Sequence, residues 1–292
     1  MITVVIPCFN SSKTIGEALE SVYKQVDSDS YEVIIIDDNS LDVKELVFEV
    51  NKFKHCFKRL ELICNTINVG GGAARNEGIK RATGRFICFL DADDIWLESK
   101  ISIQLNSYQH GAILTSAVLK GRSIKSSEIL PKVVKPVVEK VSNSLFLYNR
   151  LIQTSTFFMS ADIAKEICFN PLLPRHQDYD FLLRAESAGY HIIQDEKPLS
   201  FWRVEDSSSG RFLKKKASPE FFINWFRDYR KYMTRDAAIA YVSKNIFSAC
   251  LITKEIALFS KFFFSNDFSN QERFRIMLEI VSWRIKKIKY EK

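Results

Sequence analysis

The sequence predicts an α/β fold: a mainly parallel sheet flanked by helices, followed by a C-terminal helical extension. Three observations predict it. Short apolar or β-branched runs alternate with segments of helical periodicity over the first hundred residues. Each of those runs ends in polar residues, at Asn10, Asp38, Asn68 and Asp91. Beyond Lys214-Lys215-Lys216 the alternation gives way to helical stripes rich in aromatic and basic residues. A chain of 292 residues, 46% of them hydrophobic, can build one large domain with an appendage or two small domains. The change of character places the boundary near residue 215, giving regions 1–215 and 216–292.

The first strand is the β-branched run 3–6, ended by Pro7. Asn10-Ser11-Ser12 then supplies turn chemistry before a helix carrying Ile15, Ala18, Leu19, Val22 and Val26, with Thr14 and Glu17 spaced as a capping box. Val33-Ile34-Ile35-Ile36 is the second strand, ending in Asp37-Asp38-Asn39-Ser40, and a helix through Leu46, Val47 and Val50 follows. The third strand spans 60–63, and Gly70-Gly71-Gly72-Ala73-Ala74-Arg75-Asn76 leads into a helix containing Ile79. The fourth is the apolar run 86–90, which stops against Asp91, Asp93 and Asp94. Strands joined by helices imply crossover connections and parallel pairing. Residues 113–141 mix β-branched segments with loops and carry no recognisable chemistry. Asp178 stands at the opening of a helix whose apolar side includes Phe181 and Leu182. Trp202-Arg203 precedes a serine-rich loop with Ser209, Gly210 and Arg211, suited either to oxyanions or merely to flexibility. In the extension, one stripe runs Ile246, Ala249, Ile252, Ile256, Phe259, Phe263, and another runs Phe274, Met277, Val281, Ile285, Ile288.

In a parallel sheet the carboxyl ends of the strands line one crevice, where ligands bind. Two aspartates spaced i, i+2 there can share a divalent cation with nucleotide phosphates. The same acidic turn could instead cap a helix beginning near Leu97. The glycines at 70–72 allow backbone to approach a phosphate, and Arg75 could meet an anion at the start of its helix. A solvated arginine beside loop glycines is the bland alternative. For Asp178 that alternative is a cap or a partner of the helix dipole.

The formal charge of +7 favours an anionic partner. Cys8, Cys56, Cys64, Cys88, Cys168 and Cys250 are scattered, without a CxxC pair, as in a cytosolic protein lacking disulfides or zinc. The N-terminus opens as a strand and not as a secretory signal. Lys244, Lys254, Glu255 and Lys261 interrupt the first C-terminal stripe, so no membrane span is expected. Arg284, Lys286, Lys287 and Lys289 beside Trp283 and Tyr290 suit an anionic bilayer surface, or equally the solvated side of packed helices.

Together, Val4-Val5-Ile6-Pro7-Cys8-Phe9-Asn10, Ile36-Asp37-Asp38-Asn39-Ser40, the stretch from Asn68 through Gly78, and Leu90-Asp91-Ala92-Asp93-Asp94 resemble glycosyltransferase family 2 in order and spacing over about residues 1 to 105. The resemblance implies the GT-A fold, a mainly parallel Rossmann-like sheet flanked by helices, and an inverting, metal-dependent glycosyltransferase. It implies a UDP-sugar donor, a saccharide or lipid-linked acceptor, a Mn or Mg cation and a place on the inner face of a bacterial cell membrane, in O-antigen or capsule synthesis, with no nucleic acid. Region 1–215 would then be the nucleotide-sugar-binding and catalytic domain. The resemblance also implies residue roles: Pro7, Asn10, Asp38, Asn68, Arg75 and Asp91 on the donor, Asp93 on the metal, and Asp178 as general base. Trp96, Gln177, Trp202, Arg203, Ser209 and Arg211 are candidate acceptor or phosphate contacts. Two departures stand out: Gln177 replaces the glutamate usual before the base, and Val204-Glu205-Asp206 stands where many relatives carry a histidine. A dehalogenase-type phosphatase also places a DxD after a strand, but there the first aspartate follows the first strand, not the fourth. A non-catalytic nucleotide-sugar-binding or membrane-scaffold protein is the other alternative, against which Asp91, Asp93 and Asp178 stand intact.

Overall fold

The computed structural model describes residues 1–25, 30–132, 140–204 and 218–290, with backbone alone from 283 onward. Two compact units divide the chain: Met1–Val137 with Arg150–Asp206, and Val138–Asn149 with Ser207–Lys292.

In the first unit the alternating pattern becomes β1 (Ile2–Cys8), α1 (Ile15–Tyr23), β2 (Tyr31–Asp37), α2 (Val43–Asn51), β3 (Arg59–Cys64), α3 (Gly71–Arg81) and β4 (Phe86–Phe89). The pairs β1–β2, β2–β3 and β1–β4 are all parallel. β1 and β2 are buried on both faces, as their unbroken apolar runs require. Pro7 fits this central strand because of where the ladder stops. Leu90 N donates to Val5 O, so Pro7, two residues on, faces the same side after β4 has ended, and its missing N–H breaks no bond. Gly78 lets α3 lie directly on β1, since a Cβ there would meet a Val5 methyl at 2.3 Å.

The rest of this unit is β5 (Ile95–Trp96), α4 (Lys100–Ser107), β6 (Ala112–Gly121), β7 (Ser127–Leu130), β8 (Phe158–Ser160), α5 (Ala161–Ile167), α6 (Gln177–Ser187) and β9 (His191–Arg203). Among the described residues the strands form one sheet in the order β3-β2-β1-β4-β8-β6-β9-β5, with β7 on β6. Beyond β4 it turns mostly antiparallel, at β4–β8, β8–β6, β6–β7 and β5–β9. β6, from the stretch whose elements the sequence left unplaced, is thus interior to the sheet, and its long parallel pairing with β9 carries a bulge around Ala117.

Two local expectations are corrected. Thr14 is the N-cap of α1, but its side chain makes no capping bond; Glu17 reaches Arg203 instead, at 2.5 Å. The helix after the acidic turn starts at Lys100 and not near Leu97, because Ile95 and Trp96 pair with β9 first, so the turn caps no helix.

The second unit is helical: α7 (Pro219–Tyr229), α8 (Arg235–Tyr241), running through a wide turn at Val242–Ile246 into α9 (Phe247–Thr253), then α10 (Ile256–Phe263) and α11 (Asn270–Tyr290). Ser218 and Thr234 cap α7 and α8 by accepting from Phe221 N and Ala237 N. Trp225 stacks on Tyr229 at 4.6 Å, and Phe146 meets Tyr241 edge-on at 5.0 Å. Neither expected stripe is a continuous core face. Lys254, at φ 65°, breaks the first between Ile252 and Ile256, leaving both exposed while Phe259 and Phe263 are buried. Among the described side chains of α11, Ile276 and Ile280 are buried, and Phe274, Met277 and Val281 are exposed. No helix among the described residues is long and apolar enough to cross a membrane.

Candidate active site

The polar residues at the ends of β1 to β4 gather along one edge, and the loops carrying them are bonded to each other. Asn10 takes φ 53° after β1; its N–H donates to Ser40 Oγ, and its Oδ1 accepts from Leu41 N, each at 2.8 Å. Asp38, buried, accepts from Val69 N and Gly70 N at 2.8 Å and from Asn65 Nδ2 at 3.2 Å, while Asn68 Nδ2 donates to its carbonyl. Four residues expected on the donor are therefore placed in two ways. Asn10, Asp38 and Asn68 build the loops of the crevice through bonds within the protein, and Pro7 lies in the strand beneath them.

Arg75 joins this edge to the rest of the site. It projects from the second turn of α3, is buried, and pairs through Nη2 with Asp91 Oδ1 at 2.5 Å. Its Nη1 donates to Gln177 Oε1 at 2.9 Å, its guanidinium lies over the Phe169 ring at 5.3 Å, and its Nε has no hydrogen-bond partner. The neighbouring Asn76 brackets the Phe169 backbone, donating to its carbonyl and accepting from its N–H at 2.7 Å. A Cβ on Gly72 would stand 2.9 Å from Asn170 O. The glycine freedom expected to admit a phosphate at position 72 is thus taken up by this backbone approach. α3 thereby holds the segment that delivers Gln177 and Asp178.

Asp178 sits in the first turn of α6, after His176 at φ 61°, and its Oδ1 accepts from Tyr179 N at 2.9 Å. Burial pushes its carboxyl up to about 6, against the bond from Tyr179 and the nearby Arg75 charge, while Asp91 adds to the rise. Behind it, Asp180 grips Arg184 through two bonds of 2.6 Å, and Arg184 reaches the carbonyls of Ile167 and Cys168 at the end of α5. Asp178 therefore rides on a helix start fixed from both sides.

The acidic turn divides its three carboxylates. Asp94 turns inward, 1% exposed, accepting from Ser155 Oγ at 2.6 Å, Gln153 Nε2 at 2.5 Å and Arg203 N at 3.3 Å. Burial first, and then the charges of Asp91 and Asp93, hold its carboxyl well above the usual range. Ser155 Oγ also accepts from Asp91 N. Arg203, at the end of β9, closes the turn by donating from Nε to Asp93 O at 3.2 Å. Asp91 and Asp93 remain partly exposed.

Trp96 is corrected from a candidate acceptor contact to a core residue. It is 2% exposed, its indole N–H donates to Ser155 O at 2.9 Å, and the buried Lys100 ammonium lies over its ring at 4.3 Å. Trp202 lies on β9 under Lys120, 4.8 Å from its ring centre. Ser209 and Arg211 fall outside the described residues, as do the side chains of 283–290. Sequence reasoning missed Gln153, Ser155 and the inward role of Asp94. Gln153 and Ser155 lie at a single helical turn, Thr154–Thr156, just before β8, too short an element to leave a periodic signal.

The described residues contain no group of three or more His, Cys, Asp or Glu side chains able to hold a metal by themselves. A hard cation bound by one or two carboxylates and completed by substrate phosphates fits the outward aspartates of this turn.

The fold has solved counterparts. The fold matches Staphylococcus aureus TarS 1-349 in complex with UDP-GlcNAc with a TM-score of 0.61 at 19% identity, over 95% of this chain and 79% of that one. It matches a mannosyltransferase from Pyrobaculum calidifontis, solved with GDP-Man and Mn2+, with a TM-score of 0.60 at 14% identity, over 100% and 88% of the two chains. The fold is that of the GT-A glycosyltransferases. The model of glycosyl transferase family 2 matches residues 3–166, and the chain belongs to that family. It is 30% identical over 248 residues to an amylovoran biosynthesis glycosyltransferase of Erwinia amylovora, covering 82% of this chain and 81% of the relative. It is 32% identical over 210 residues to an Escherichia coli UDP-Glc:alpha-D-GlcNAc-diphosphoundecaprenol beta-1,3-glucosyltransferase, covering 71% and 79%.

Proposed function

We propose that this family 2 glycosyltransferase transfers a hexose or N-acetylhexosamine, with inversion, from a UDP-sugar to a hydroxyl of a lipid-diphosphate-linked saccharide. The transfer takes place at the inner face of a bacterial cell membrane, in the synthesis of a surface polysaccharide. The observation that carries this reading is Arg75, which bridges Asp91 on the acidic turn to Gln177, the residue before Asp178. One buried cation thus ties the diphosphate side of the crevice to the base side. The likeness to the Escherichia coli relative whose name gives UDP-glucose as donor and a diphosphoundecaprenol-linked acceptor supports the donor and acceptor classes.

Asp178 takes the proton of the acceptor hydroxyl as its oxygen attacks the anomeric carbon. The bond from that carbon to the diphosphate oxygen breaks, and its electron pair leaves with UDP. A carboxyl raised to about 6 is ionised at neutral pH and is still a better base than an exposed aspartate. Asp93, with Asp91 beside it, would hold a Mn or Mg ion on the diphosphate, supplying positive charge to the leaving group. Arg75 keeps Asp91 in place, and Arg203 holds the backbone of Asp93. Region 1–215 contains all of these groups.

The test is incubation with labelled UDP-glucose, UDP-galactose and their N-acetyl forms, with lipid-diphosphate-linked acceptors and Mn. Transfer giving the inverted anomer is expected from one donor. Nucleotide-sugar binding without turnover on any acceptor would leave only a sugar-nucleotide-binding protein.

A further inference from the structure

We propose that the outward face of α11 is a docking surface for an anionic lipid bilayer, a proposal that rests on the reading of a lipid-linked acceptor. α11 carries two apolar faces. Ile276 and Ile280 are buried against the helical unit. On the opposite side Phe274, Met277, Leu278 and Val281 follow one another at i, i+3, i+4 and i+7, and are 65%, 49%, 55% and 53% exposed. Phe264, 72% exposed, stands at the end of α10, in the link that leads to α11. Arg273 fixes that link by donating to Phe263 O at 3.0 Å and Ser265 O at 2.8 Å. Scattered exposed apolar residues need no explanation, but an apolar arc along one helix marks a surface that something covers.

Charge identifies what covers it. The unit containing α11, Val138–Asn149 with Ser207–Lys292, has 19 Lys and Arg against 9 Asp and Glu. The rest of the chain has 23 against 26. The positive charge of the whole molecule therefore resides in the unit that exposes the apolar arc. Two copies meeting through this unit would bring like charges together, whereas an acidic bilayer offers opposite charge and an apolar layer at once. A helix that lies in the interface with its apolar face down needs no membrane-spanning length, consistent with the absence of a candidate span among the described residues.

The experiment is co-sedimentation of the full chain with vesicles. Binding to phosphatidylglycerol-containing vesicles at low salt should exceed binding to pure phosphatidylcholine by about fivefold or more, and high salt should release the protein. The variant Phe274→Gln/Met277→Gln/Leu278→Gln/Val281→Gln removes the arc at exposed positions while keeping helix propensity, so its melting should match wild type and its bound fraction should fall about tenfold. A variant that pellets like wild type, or a wild type that ignores lipid charge, overturns the proposal. So does a wild-type dimer in sedimentation velocity that the variant converts to monomer, which would assign the face to a second copy. Lipid binding that behaves as expected in a protein transferring no sugar would leave this surface standing and remove the proposed activity instead.

Discussion

Asp178 and Gln177 show how one residue's surroundings set a reaction. Because Asp178 keeps its proton up to about 6, turnover at low substrate should fall tenfold per pH unit below that value, measured as kcat/KM against pH. Asp178→Asn should cut transfer by on the order of a hundredfold or more while donor binding survives. The same substitution should also stabilise the protein at neutral pH. Between the ordinary aspartate value and about 6 the folded state binds more protons than the unfolded one, so stability falls as pH rises through that window. Asparagine removes that loss, and a higher Tm at pH 7 than at wild type is expected. If donor affinity collapses instead, Asp178 is structural. Gln177→Glu places a second carboxylate on Arg75 and beside Asp178. The acid limb of the pH profile should then move upward by roughly half to one unit, because a like charge disfavours ionisation. An unmoved limb would mean that a charge at position 177 is not felt at Asp178.

At the scale of elements, the strands are tied at both ends, and the end away from the site depends on one glutamate. Glu32 on β2 is buried and accepts from Thr3 Oγ1 on β1 at 2.5 Å, from Thr83 N and Oγ1 after α3 at 2.8 and 3.0 Å, and from Arg59 on β3. Burial pushes its carboxyl up, but these donors prevail and hold it below the usual glutamate value of 4.5. Its contribution is therefore present above that value and is lost as pH falls through the lowered one. Glu32→Gln should cost about 2 kcal/mol in chemical unfolding at neutral pH, and this difference from wild type should shrink in acid. An equal difference at all pH values would show that the charge is immaterial there.

For the whole molecule, the metal prediction draws on all of the crevice. Chelation should abolish transfer, and Mn or Mg should restore it, because the cation would offset the negative charge that develops on the leaving diphosphate. Asp93→Ala should resist that rescue, with turnover down about a hundredfold or more at saturating Mn. Near-normal turnover of this variant, followed by donor consumption, would remove the metal assignment to Asp93.

The sequence by itself determined the first four strands, their helices and the edge on which Asn10, Asp38, Asn68 and Asp91 assemble. A parallel strand buried on both faces writes itself as an unbroken apolar run, and its polar terminus follows in the chain. Only the tertiary structure decided how those residues are used. It turned Asp94 inward onto Ser155 and Gln153, closed Gly72 against Asn170, and made Trp96 core by pairing β5 with β9. Those partners lie tens of residues away in sequence, so no local pattern records them. The same holds for α11, whose sequence carries apolar residues on two sides. Periodicity marks a helix as amphipathic, but which stripe is buried depends on the neighbour it meets, and here Ile276 and Ile280 met it first.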